Sequence, residues 1–163
     1  MKNKFIFLLL LLLAFSFTNA QKNTVKLVSS DNNETVLTFE LKSYEFKTVT
    51  TQNGEEVIIA SEELSPLLKK GFPDMPKFSE SIIIPDLGST SLEIVSTEFE
   101  TIEDVYIAPS KGNLTRDIDP STVPYEYGKV YGRDAFWPTD LANLNSPYIA
   151  RDFRGQAIHV YPF

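Results

Sequence analysis

Apolar and polar residues alternate along much of this chain with a period of two, the spacing of a strand with one buried face. Thr35 to Leu41 places Leu37, Phe39 and Leu41 on one face, and Tyr44 and Phe46 continue the pattern. Asn53-Gly54 lies between Thr48-Val49-Thr50 and Val57-Ile58-Ile59. An Asn-Gly pair takes up positive φ readily, so this stretch predicts a tight hairpin. Ile82-Ile83-Ile84, ended by Pro85, predicts a buried strand. Leu92-Glu93-Ile94 and Val105-Tyr106-Ile107 predict further short strands, and Gly71 to Pro76 an extended connector. Tyr148-Ile149-Ala150 and Ala157 to Tyr161 bracket a turn near Arg154-Gly155. Only Ser61 to Lys70 suits a short helix, and Pro66 interrupts it. Short strands separated by turn residues predict an all-β fold, a β-sandwich or jelly roll.

Two segments break the alternation. Met1 to Ala20 carries Lys2 and Lys4, then a run of 13 residues from Phe5 to Phe17 that is apolar except for Ser16. Thr18-Asn19-Ala20 follows, with small residues at −3 and −1. This is the pattern of a secretory signal peptide cleaved after Ala20. The run is too short for a spanning helix, which needs about 20 apolar residues. Residues 21–163 then form one domain. The second segment runs from Pro109 to Pro138, with Pro120, Pro124, Gly112, Gly128 and Gly132 inside it. It predicts a long structured surface loop, pinned to the body by Tyr125, Tyr127, Tyr131, Phe136 and Trp137. The chain closes on Val160-Tyr161-Pro162-Phe163, in or just after a strand and without a polar tail. That predicts a domain incomplete at its C-terminus, with an edge strand left open.

Charge narrows the partners. Removing Lys2 and Lys4 with the leader takes the formal charge from −7 to −9. Such acidity argues against nucleic acid and, after cleavage, against an anionic membrane. With no cysteine, the chain has no disulfide, thiolate metal site or thiol nucleophile. An exported domain without disulfides depends on its core, which 12 Phe and 7 Tyr can supply.

The chemistry-bearing residues are sparse. His159 is the sole histidine, alternating with Ile158 and Val160, and no serine sits in a G-x-S-x-G elbow. Asp117 and Asp119 resemble a fragment of a calcium loop, but Pro120 breaks the ligand spacing. They read as a solvated turn with at most a loose calcium site, and no other cofactor is expected. Glu55-Glu56 and Glu62-Glu63 lie on different segments and read as surface. The loop aromatics suit either an anchor or a sugar-stacking platform, so a non-enzymatic surface module binding glycan or protein is the alternative reading. Arg116 stands in the loop after Asn113-Leu114-Thr115 and before Asp117, a long cation with only an exposed carboxylate to pair with.

Five motifs occur in order: Gly71-x-Pro73-x-x-Pro76, Ile107 to Gly112, Arg116-x-x-x-Pro120, Pro124-Tyr125-x-Tyr127-Gly128, and Arg151-Asp152-x-Arg154-Gly155-Gln156. Together they resemble the N-terminal propeptide of the gingipain family of secreted cysteine peptidases. The similarity is densest over Asp104 to Phe163. The resemblance implies a sandwich-like prodomain that assists folding of its peptidase and holds it latent. It implies a cognate gingipain-like peptidase domain as partner, and the periplasm, medium or outer surface of a Gram-negative bacterium as the setting. It also implies that a loop arginine enters the acidic S1 pocket, and Arg116 matches that position. Lys111, Leu114, Thr115 and Asp117 flank it. Asp117 departs from expectation, since a carboxylate beside an acidic pocket is repelled.

Overall fold

The computed structural model describes residues 22 and 24–163. The leader therefore lies outside the described residues. Two antiparallel hairpins come first. β1 (Thr24–Ser30) pairs with β2 (Thr35–Glu40), and β3 (Glu45–Thr51) with β4 (Gly54–Ala60). A larger sheet follows, built from β5 (Ser65–Pro66), β6 (Pro76–Ile83), β7 (Ala142–Leu144), β8 (Tyr148–Ala150) and β9 (Phe153–Val160). Its order is β5-β6-β9-β7, with β8 also on β9. The chain is all-β and sandwich-like, with two short 3₁₀ turns, Pro120–Thr122 and Lys129–Gly132, and no α-helix among the described residues.

The hairpin at Asn53-Gly54 forms, with Thr51 opposite Gly54. Within this hairpin Gly54 takes positive φ, at +111°, so the turn residues are Gln52-Asn53 and the glycine opens the returning strand. The other hairpin turn lies at Arg151-Asp152, between the facing pair Ala150 and Phe153. Arg154-Gly155, expected at that turn, lies inside β9 instead.

Four further expectations are not met as read. Ser61 to Lys70 makes no helix; Ser65–Pro66 pairs with Pro76 and Lys77, and a proline cannot sustain a helical ladder. Leu92-Glu93-Ile94 joins no strand and is exposed. The Ile82–Ile84 run is not buried throughout: Ile84 is buried, but Ile83 is 68 % exposed, because successive side chains take opposite faces. Val105 to Ile107 contributes a single bridge, Ile107 to Val57, and no full strand.

The core is small. Phe78 of β6 meets Phe39 of β2 edge to face at 5.4 Å, joining the first hairpin to the large sheet. Ile59, Leu64, Met75, Ile84, Ala108 and Ile158 are also buried. Tyr44 stacks edge-on with both Phe46 and Phe163.

Candidate functional site

The loop between Pro109 and Pro138 is mounted on a buried seam. Val57 donates its N–H to Tyr106 O at 2.9 Å, and Ala108 donates to Val57 O at 2.7 Å. On the other side Asp74 donates to Ala108 O, Ser110 to Phe72 O and Gly71 to Ser110 O. Pro73 and Pro109 face each other across this seam. They occupy the pair whose N–H groups point out of the ladder, so two prolines cost it no bond. Ala108, Pro109 and Ser110 are buried. Ser110 also donates to the Asp74 carboxylate, whose pKa burial nevertheless pushes above its usual value.

The loop departs at Lys111 and is gripped again at Gly128. Gly128 donates its N–H to Gly71 O at 2.8 Å, and a Cβ at position 128 would lie 2.5 Å from that oxygen. Within the loop, Lys111 Nζ donates to Pro120 O at 2.8 Å and stands 4.2 Å from the centre of the Tyr125 ring. Lys111 therefore braces the loop across its base. Asp119 caps the first 3₁₀ turn: its carboxylate accepts from Ser121 N–H at 2.9 Å, which holds its pKa low.

Arg116 stands at the corner of a turn closed by Ile118 N–H to Thr115 O at 3.0 Å. Its side chain is exposed, and no hydrogen bond or ion pair among the described residues holds the guanidinium. Asp117 shares the corner. Its carboxylate accepts from the Thr115 hydroxyl and its own N–H, which lowers its pKa. Leu114 is half-buried beneath the turn and Thr115 is exposed.

Three of the five aromatics reach the body with their side chains, and Tyr125 is held through its backbone carbonyl. The Tyr127 hydroxyl donates to the Glu56 carboxylate and lies 3.0 Å from Thr51 Oγ1. Tyr131 donates to Ile107 O at 2.9 Å, and its ring meets Tyr127 edge-on at 5.0 Å. Burial pushes both phenols up, Tyr131 the further, so both stay protonated at neutral pH. Gln52 Nε2 donates to Tyr125 O at 2.9 Å. Trp137 packs on Phe72 at 4.5 Å, with the Lys69 ammonium over both rings. Phe136 does not pin anything: it is 94 % exposed, pointing away while its neighbour Trp137 turns inward. The Tyr127 and Tyr131 hydroxyls turn into the body and the two rings meet edge-on, which is not the flat platform a sugar stacks on.

His159 sits on β9 between Lys77 Nζ, 3.2 Å from Nδ1, and Asn145 Nδ2, 3.2 Å from Nε2. Burial and the neighbouring ammonium lower its pKa. Among the described residues no carboxylate or hydroxyl bonds to it. No cluster of three or more His, Cys, Asp or Glu side chains suited to a metal occurs among the described residues.

Sequence reading missed the grip of the β3–β4 hairpin tip on the loop through Thr51, Gln52 and Glu56. It also missed the contact of Gly71 with Gly128. Both glycines stood in motifs, which marked close approach somewhere but named no partner.

The described residues thus hold a braced loop on an all-β body, with Arg116 exposed at its turn. Residues 16–163 match the Propeptide_C25 family. Over 140 residues the chain is 36 % identical to gingipain R1 of Porphyromonas gingivalis, covering 86 % of the chain and 14 % of that protein. It is 34 % identical over 138 residues to gingipain R2 of the same species, covering 85 % and 19 %. The chain thus spans under a fifth of these relatives. Its fold matches a chain in the complex of Porphyromonas gingivalis RgpB pro- and mature domains, with a TM-score of 0.80 and 34 % identity over 87 % of this chain and 73 % of that one. A structure bearing on the zymogenic latency of gingipain K shares the fold at a TM-score of 0.66 and 19 % identity, covering 87 % and 81 %. The chain belongs to the Propeptide_C25 family, the propeptides of gingipain cysteine peptidases.

Proposed function

We propose that the chain chaperones a gingipain-like cysteine peptidase and keeps it latent by presenting Arg116 to the S1 pocket. The observation that carries this is the contrast between the two cations of the segment from Lys111 to Gly128. Lys111 is spent on Pro120 O and the Tyr125 ring, whereas Arg116 projects unengaged from a braced turn. A guanidinium so placed forms charge-assisted, bidentate bonds to a pocket carboxylate. Bracing lowers the ordering cost of docking. Asp117, the residue that argued against an acidic pocket, has its charge satisfied by Thr115 and its own N–H.

The matched RgpB structure supports the partner, since it joins pro- and mature domains. The leader-like first 20 residues support export, to the medium or outer surface of a Gram-negative bacterium by way of the periplasm. In a precursor, tethering gives an effective concentration on the order of millimolar, so modest affinity suffices for latency.

The test is titration of the chain lacking its first 20 residues against an arginine-specific gingipain-type peptidase, following cleavage of an arginyl substrate. Saturable inhibition is expected, weakened by Arg116→Ala with β content unchanged. An inhibition constant indifferent to that substitution removes Arg116 from the mechanism.

A further inference from the structure

A pocket of about 450 Å³, open to solvent, lies where the β3–β4 hairpin meets the far leg of the Arg116 loop. Tyr106, Tyr127 and Tyr131 line it, together with Glu56 and Asn53. The Tyr127 and Tyr131 rings stand 75° apart, with centres 5.0 Å from each other. Tyr131 spends its hydroxyl on Ile107 O, and Tyr127 spends its own on Glu56. What these two phenols have left to offer a ligand is ring. Glu56 is half-buried. Its carboxylate has about four lone-pair positions, of which the Tyr127 hydroxyl takes one. No Lys or Arg is among the lining residues. The field there is negative: burial first, then the Glu56 charge, with Tyr127 and Asp74 behind it, push the Tyr131 phenol up.

We infer that this pocket binds an organic cation, an alkylguanidinium or alkylammonium group, held by the Glu56 carboxylate and the tyrosine rings. The lining selects the ligand class. An anion meets the Glu56 charge with no lining cation to offset it. A hard metal ion takes six or more oxygen ligands, and a single carboxylate falls short of that. A sugar wants a flat platform, which rings at 75° do not give. An organic cation gains from both elements present: charge-assisted bonds to the carboxylate, and attraction to ring faces within about 6 Å. The fold already uses the second of these with its own side chains. Lys69 stands 3.9 Å from the Phe72 ring centre and 4.7 Å from that of Trp137, and Lys111 stands 4.2 Å from that of Tyr125. The volume is at the small end of ligand pockets, room for one such group and its alkyl stem. Two sources share this chemistry: a free amine or guanidine, and a Lys or Arg side chain of a bound protein. Either occupant touches the hairpin through Glu56 and the loop through Tyr127 and Tyr131. Its binding therefore also tightens the mount of Arg116.

The test is an NMR titration of the isotope-labelled chain with N-acetyl-arginine amide, set against N-acetyl-citrulline amide, which has the same shape without the charge. The arginine amide should shift the signals of Asn53, Glu56, Tyr127 and Tyr131 saturably, and bind about tenfold or more tighter than the citrulline amide. Glu56→Gln should weaken its binding about tenfold. Asn53→Asp, an exposed change on the turn, adds a second carboxylate at the pocket and should tighten binding about threefold. A gain of affinity cannot come from an unfolded chain, so this variant guards the reading of the Glu56 loss. Equal shifts from both amides, no shifts from either, or shifts confined to other residues overturn the inference. The mature domain of RgpB with an inactivated nucleophile then separates the sources. If Asn53→Asp tightens that complex as well, the occupant is a side chain of the bound protein; if it does not, the occupant is a free cation. Arginine amide bound at the pocket with no complex at all sinks the inhibitory reading and leaves the cation site standing.

Discussion

Gly128 lies against Gly71 so closely that its N–H reaches the Gly71 carbonyl at 2.8 Å with no room for a Cβ between them. At φ −77° the backbone of Gly128 suits any residue, so glycine is required there by space alone. Gly128→Ala is expected to cost about 1–3 kcal/mol, the range for overpacking against atoms that cannot move aside. Thermal unfolding followed by circular dichroism measures it. A melting temperature equal to wild type would show that the two strands of the loop base are free to part.

Tyr127 ties the loop to the β3–β4 hairpin through Glu56 and Thr51. Removing its hydroxyl with Tyr127→Phe keeps the ring contact with Tyr131 and is expected to cost about 1–2 kcal/mol, because the acceptor is charged. In a double-mutant cycle with Glu56→Gln, the two effects should fall well short of additive. Full additivity would mean the bond contributes nothing.

Arg116→Lys separates charge from geometry. An ammonium keeps the cation but loses the planar fork, so inhibition should weaken less than with Arg116→Ala, for which a hot-spot loss of about 2–4 kcal/mol is expected. Lys111→Met should leave binding chemistry at the tip intact and loosen the brace on Pro120, giving a smaller loss than either. Inhibition constants for the three variants, ranked Ala, then Lys, then Lys111→Met, check the order. A larger effect at Lys111 would reassign the anchor.

Asp74 makes stability depend on pH in an unusual direction for a carboxylate. Burial raises its pKa in the folded state above the ordinary 3.8, so the fold binds its proton more tightly than the unfolded chain does. Stability from this group is therefore greatest below about 3.8 and is lost as pH rises through the folded value. Asp74→Asn, which keeps an acceptor for Ser110, should raise the melting temperature at neutral pH and lose that advantage in acid. Melting curves of both proteins across this range test it, and an advantage that grew toward low pH would reverse the sign.

The hairpin at Asn53-Gly54 was legible because its signal is local: a turn dipeptide between two alternating runs. The loop was legible for the same reason, as a cluster of Pro, Gly and aromatic residues. Arg116 was singled out by resemblance, whereas the engagement of Lys111 was not legible, because it depends on Lys111 finding Pro120 nine residues away. Leu92-Glu93-Ile94 carries a strand pattern that encodes pairing but not the partner. Ser61 to Lys70 lost its helix to Pro66 and to the pairing of Ser65–Pro66 with β6, a tertiary outcome no propensity contains. Phe136 and Trp137 are adjacent and equally aromatic, yet only packing decides which one turns inward.

Arg154 is placed very differently from Arg116. Its Nη1 donates to the carbonyls of Pro85 and Gly88, at 2.8 and 3.2 Å, and β9 carries it between β6 and β8. A peptidase reads an arginine only after drawing several flanking residues into its cleft as an open strand. Around Arg154 that would require stripping two sheet neighbours and unthreading the guanidinium from its carbonyl nest. Whatever arginine-directed enzyme meets this chain, the bond after Arg154 is shielded from it by the sheet that Arg154 helps to build.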